Sequence, residues 1–366
     1  MGTTTASAPP PVWTPSRSLM FECHALTDIW TAGGTLAAVP PGQKDGKPIN
    51  DRLRLTSLLG GIRWWAEAIV RGFDVRACDP VSEPCRGDQH CIICELFGKA
   101  DPPQAAKFAV RAWEDTGKRQ PFTRKLSKGS TVILEFHFYR DATFLEEYLL
   151  VKAMDVISRY GSVGGKTTLK PTRPNTVRMA DTGWVDRHTD YGLLHIKGID
   201  KASFQIWATH KDAFENALKE KAINDPNKSM KYPSLKNFWF APESTLFVHP
   251  SAPATDDSIN NLLGLADTIN ANKQLTTKDT WPAPSDVCNP LREHLRGIPE
   301  KSILKLPACS KKVFSFGSMG NTKYARTWGY VLNATLLTHL PDLLKSAGIT
   351  KIAVNGSDVL REPIGG

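Results

Sequence analysis

The sequence predicts an α+β protein of two split βαβ units, the second carrying a long irregular insertion. Three observations predict it. In the first half, apolar periods of two and of 3.6 residues alternate in the order strand, helix, strand, strand, helix, glycine loop. That is the ferredoxin-like order, lacking only its final strand. In the second half short strands and helices return, while residues 224–307 are rich in Pro, Asn, Lys and Ser with weak periodicity. The chain has 366 residues, 41% hydrophobic and 23% charged, enough for two globular cores.

Residues 1–18 (MGTTTASAPPPVWTPSRS) hold no apolar run of signal-peptide length and read as a flexible arm. A first domain is expected over 19–180. Leu19–Thr27 alternates Leu19, Phe21, Cys23 and Ala25 against Met20, Glu22 and His24, a half-buried strand. The clearest helix is TSLLGGIRWWAEAIVRGF, with Thr56 or Ser57 as cap and Gly72 after its last turn. Leu58, Ile62, Trp65 and Ile69 form its stripe. Trp64 falls off it, placed to stack on a base or a partner, or to lie under the cysteine-rich segment that follows. Strands are expected in AAKFAVRAWE and STVILEFHFYR, joined by a basic loop, and a helix over Phe144–Arg159. The second domain, 181–366, is expected to hold a strand in Ser203–Asp212, a helix in AFENALKEKAI, then KKVFSFGS, ARTWGYVLNAT, a helix in LLTHLPDLLKSAG and a closing strand in KIAVNG.

RYGSVGGKTT (159–168) imitates a phosphate-binding P-loop, but the glycine required six positions before the lysine is Tyr160. The glycines also follow a helix, whose C-terminal dipole repels anions, and Pro171 and Pro174 argue against a helix downstream. Nucleotide hydrolysis is therefore disfavoured. A glycine-rich turn can instead bring backbone N–H groups close to a sugar-phosphate chain. The net charge of +9 favours a polyanionic partner. Basic residues concentrate in 103–130, with Lys107 and Arg111, and in 152–178, with Lys166, Lys170 and Arg173, and Phe108, Trp113, Phe122 and Tyr160 are interleaved. Cations beside exposed rings point to RNA or single-stranded DNA. A further glycine-rich segment, FSFGSMGNTKYARTWGYV, holds Gly317, Gly320, Lys323, Arg326 and Trp328 and reads as a second binding loop or a plain hairpin turn.

Cys78, Cys85, Cys91 and Cys94 lie within CDPVSEPCRGDQHCIIC. The Cys91-x-x-Cys94 spacing lets two thiolates meet one tetrahedral ion, and Cys78 and Cys85 complete a set of four, with His90 as a substitute. A closed structural zinc site and free thiols are the two readings. No His-Glu pair suggests a catalytic metal. Seven cysteines, an odd number, without an export signal suggest a cytoplasmic protein, and no apolar run has membrane-spanning length.

LLGGIRWWAEAIVRG, then ACDP, then CIICELFG and a basic strand resemble the first-subunit family of the Cmr complex, the type III-B CRISPR RNA-guided antiviral effector, within the RAMP superfamily. TDIWTAGG is similar to the family's first-strand motif, GSVGGKTT to its glycine-rich loop and FSFGS…RTWGYV to its C-terminal signature. LKPTRPN departs from the family loop, and GKADPPQAAKF from a stretch usually richer in Gly and Trp. The resemblance implies two ferredoxin-like (RRM-like) domains and a non-catalytic subunit near the 3′ end of the guide RNA, touching the guide or the 5′ part of the target. Cleavage and cyclic-oligonucleotide synthesis would lie in other subunits. It implies RNA contacts at Gly161, Gly164, Gly165, Lys166 and Thr167. Arg63, Trp64, Lys107, Arg111, Lys170, Arg173 and Arg326 are further candidates. The rival is a stand-alone RAMP endoribonuclease processing guide RNA, which would need a histidine such as His137, His188 or His195 near the loop.

Overall fold

The computed structural model describes residues 17–31, 52–79, 84–85, 90–100, 103–164, 176–179, 183–186, 191–198, 211–220, 232–243, 313–316, 324–330, 337 and 354–364. In the first unit, β1 (Ser18–Ala25) leads to α1 (Leu55–Gly72) and the short α2 (Ile92–Phe97). Then come β2 (Phe108–Glu114), β3 (Thr131–Phe138) and α3 (Phe144–Arg159). β4 (Thr176–Met179) and β5 (Gly183–Asp186) pair with each other, among the described residues as a two-stranded sheet apart, and β6 (Leu194–Gly198) follows. The strand order is β2-β3-β1-β6, every neighbour antiparallel. This is the split βαβ order, and β6 is its missing last strand. The boundary expected at 180 therefore falls too early, because the first sheet reaches Gly198. LHIKG carries too few residues for its alternation to stand out.

One face of this sheet presents Phe21, Cys23, Leu134 and Phe136 to α1 and α3, forming the main core. The expected caps Thr56 and Ser57 lie inside α1, which starts after Arg54 with no side-chain cap. Thr31 Oγ1, from beyond β1, accepts the Arg54 N–H at 2.9 Å. A cap supplied from another part of the chain leaves no local sequence signal. For α3, by contrast, Thr143 and Glu146 form a reciprocal capping box. α3 is buried on all sides; even Lys152 is enclosed, its Nζ donating to the Glu362 carbonyl at 2.7 Å.

α4 (Lys211–Glu220) packs against α3, and Phe214 stacks near Tyr148 with ring centroids 4.2 Å apart. The second sheet comprises β7 (Phe238–Pro242), β8 (Val313–Phe316), β9 (Arg326–Tyr330) and β10 (Val354–Asn355), followed by α5 (Gly356–Arg361). Its order, β10-β7-β9-β8, repeats the fourth-first-third-second pattern of the first sheet. The expected irregular insertion over 224–307 thus contains a core strand. FWFAP is buried from both faces, so it lacks the alternation by which a strand is read. Within that span residues 224–231 and 244–307, and with them the strand and helix expected over 203–210 and 336–348, the arm over 1–16 and Gly317–Lys323, lie outside the described residues, Leu337 aside.

α1 joins the two units. Trp64 meets Phe238, Trp328 and Tyr330 at centroid distances of 5.8, 6.3 and 5.9 Å, and Trp65 meets Phe238 and Trp328 at 5.6 and 5.0 Å. At the other end of the joint, Glu362 accepts from Tyr160 Oη at 2.7 Å and Arg159 Nη1 at 2.8 Å. Among the described residues no helix is long and apolar enough to cross a membrane.

Candidate functional site

The four cysteines converge. Cys78 follows α1, Cys91 caps the N-terminus of α2 and Cys94 lies in its first turn, which is how the Cys-x-x-Cys spacing turns both sulfurs inward. All four sulfurs lie within 4.8 Å of one another, and all four residues are buried and free of disulfides. Sγ of Cys78 is 3.2 Å from that of Cys94 and 3.6 Å from that of Cys91. A tetrahedral ion with metal–sulfur bonds of about 2.3 Å separates its ligands by about 3.8 Å, close to this spacing. The Cys91 N–H donates to Cys85 Sγ at 3.4 Å. Hydrogen bonding from Cys78 holds the Cys91 thiol down at about 6 and Cys85 lower still, whereas hydrogen bonding to Cys85, then burial, pushes Cys78 up. Such a quartet can hold a metal ion. His90 is not part of it.

The edge of α1 braces this knuckle. Arg63 donates from Nε to Glu67 Oε1 at 3.0 Å and from Nη1 to the Gly98 carbonyl at 2.9 Å, and its Nη2 reaches Cys94 Sγ at 3.9 Å. Arg71 donates to the carbonyls of Ala77 at 3.0 Å and Cys78 at 3.2 Å. Glu67 lies between the two arginines. Cations beside the sulfurs offset the negative charge that four thiolates leave on a dication.

The residues expected to grip RNA fall into three groups. Arg63 and Trp64 are engaged inside the protein as described, Trp64 against the second sheet and not under the cysteine segment. Lys107 Nζ pairs with Glu146 at 2.7 Å, and Arg326, 5% exposed, donates to the carbonyls of Ser158 at 2.8 Å and of Ile157 and Gly161 at 3.4 Å. Burial lowers the Arg326 guanidinium to about 10, so it stays charged at neutral pH and caps the C-terminus of α3. Arg111 is the most exposed of the described candidate cations, at 42%, with Glu135 at 4.0 Å. Gly165, Lys166, Thr167, Lys170 and Arg173 lie outside the described residues.

Gly161 and Gly164 have packing roles of their own. A Cβ on Gly161 would lie 2.5 Å from the Trp65 ring, whose Nε1 donates to the Ser162 carbonyl at 2.8 Å. Gly164 has φ +115°, and a Cβ there would lie 2.8 Å from the Trp30 carbonyl oxygen. Gly161→Ala is expected to cost roughly 1–3 kcal/mol by overpacking. Gly60→Ala, where a Cβ meets nothing within 4 Å, is expected to stabilise by about 0.5–1 kcal/mol. Urea denaturation of the two variants checks the pair.

Of the nuclease candidates, His137 lies on β3 with Nδ1 3.1 Å from Ser18 Oγ, and His195 on β6 with Nδ1 3.4 Å from Ser158 Oγ. His188 lies outside the described residues. Sequence reasoning passed over Glu135 and Glu362, although an acid inside the apolar run TVILEFHF was an available signal.

The family model of the RAMP superfamily matches residues 22–169. Over that segment the chain is similar to the RAMP superfamily. The RAMP segment runs from β1 through the cysteine knuckle and α3 into the glycine loop. Among solved structures, the crystal structure of Cmr1 from Pyrococcus furiosus (apo form) is similar at 12% identity with a TM-score of 0.37, covering 86% of this chain and 87% of that one. No curated protein matches the chain.

Proposed function

We propose that the chain is a non-catalytic RNA-binding subunit of a type III-B CRISPR effector, contacting the 3′ region of the guide RNA, the 5′ part of the target, or both. The observation that carries this reading is the RAMP segment itself, which bears the motifs that resemble the Cmr first subunit. Its partners are then guide RNA, target RNA and the other effector subunits, and target cleavage lies outside it. The cysteine quartet holds one zinc ion, a closed structural site with no open coordination position, because four soft thiolates at tetrahedral spacing select zinc over hard cations.

The purified chain is expected to bind single-stranded RNA with an affinity that falls steeply with salt. Lys166→Ala and Arg173→Ala should each weaken it and reduce the slope of log affinity against log salt by about one. Unaltered affinity in both variants removes the loop from the interface. Metal-independent cleavage of repeat RNA by the chain alone would favour the nuclease reading instead.

A further inference from the structure

The two sheets share a strand order but use their faces differently. In the second the middle strands are closed on both faces: every residue of β9 is buried, and so are the first four of β7. The first sheet buries one face against α1 and α3, and its other face stays largely half-exposed. Strand alternation places Met20 and Glu22 of β1, Arg111 and Trp113 of β2, and Ile133, Glu135 and His137 of β3 on this open face. Pairing aligns Met20, Glu135 and Arg111 in one row across three strands.

Glu135 is the centre of the face. It is 1% exposed and accepts from Trp113 Nε1 at 2.8 Å and Ser18 Oγ at 3.0 Å, with Arg119 at 3.8 Å and Arg111 at 4.0 Å. The carboxylate thus fixes an indole ring and two guanidiniums over the sheet, while Arg111 and Arg119 remain 42% and 68% exposed. With its N–H engaged, Trp113 offers only its ring face. Met20 and Tyr139 are the exposed large hydrophobic residues among those described, and both belong to this face. Tyr139 meets His137 edge to face at 5.5 Å.

We propose that this open face binds unpaired RNA, with bases stacked on Trp113 and Tyr139 and phosphates held by Arg111 and Arg119. The inference rests on the RNA-binding reading above and names a surface for it separate from the glycine loop. Rings beside solvent-reaching guanidiniums match a strand that presents bases and phosphates together. A duplex hides its base faces, so the site selects single strands. A protein-docking patch would instead be depleted of charge at its centre.

The test uses the purified full-length chain and a labelled RNA, single-stranded or annealed to its complement, read by fluorescence anisotropy. Trp113→Ala and Tyr139→Ala are each expected to weaken single-strand binding about tenfold and leave duplex binding unchanged. Arg119→Gln should lower the salt slope by about one. Tyr139 and Arg119 lie at the surface, so these two variants retain the fold. Wild-type affinity in all three variants, or equal losses on duplex, overturns the proposal while RNA binding by the chain stands. No RNA binding by the wild type overturns both readings. Variants that keep RNA but lose a neighbouring effector subunit assign the face to protein and overturn it too.

Discussion

Cys94→Ser is expected to abolish the metal binding proposed for the quartet and to destabilise the protein strongly. A four-thiolate zinc site contributes on the order of 10 kcal/mol to folding in small domains, because the ligands are assembled only in the folded chain. Here the loss is shared with a large core, and a fall in melting temperature of roughly 10 °C is expected for a loss of a few kcal/mol. Arg63 and Arg71, which now face the sulfurs and the knuckle carbonyls, would lose the surface they brace. Zinc measured by elemental analysis should fall from about one per chain to near zero. Treating the wild-type protein with a strong chelator should reproduce the destabilisation and make the four thiols reactive. Cys23→Ser is the control: that thiol is buried in the sheet core, donates to the Phe21 carbonyl at 3.5 Å and is pushed up by burial, so it stays inert. Zinc retained by Cys94→Ser, or no metal in the wild type, would refute the assignment.

Arg326→Met is expected to loosen the joint between the two units without touching RNA affinity. The guanidinium is enclosed and meets three carbonyls at the end of α3. Hydrogen bonds to a charged group contribute about 1.5–3 kcal/mol, and the buried acceptors left behind add a penalty of similar size. A loss of about 3 kcal/mol in urea denaturation is expected, with Arg326→Lys recovering part of it. RNA binding measured well below the melting transition should match the wild type. A large affinity loss in a fully folded Arg326→Met protein would return this residue to the interface.

The first unit was legible because its signals are local. β1, β3 and α3 show their periods within single stretches, and Thr143 and Glu146 announce the start of α3. The Cys-x-x-Cys pair announced the knuckle by spacing alone. What escaped was set by distant contacts. β7 is sealed on both faces, β6 is short, and the cap of α1 comes from Thr31. Arg63, Lys107 and Arg326 looked like phosphate ligands because sequence shows a charge but not its partner. Each partner lies more than three residues away along the chain: Gly98 and Cys94 for Arg63, Glu146 for Lys107, Ser158 for Arg326.

α1 presents three working surfaces at once: Ile62 and Ile69 to the first core, Trp64 and Trp65 to the second sheet, Arg63 and Arg71 to the cysteines. A helix turns about 100° per residue. One amino acid inserted or deleted midway along this rod would swing all its downstream surfaces off their partners together. Gain or loss of length here is therefore far more damaging than any single substitution, and related chains should keep this helix free of indels while their loops vary.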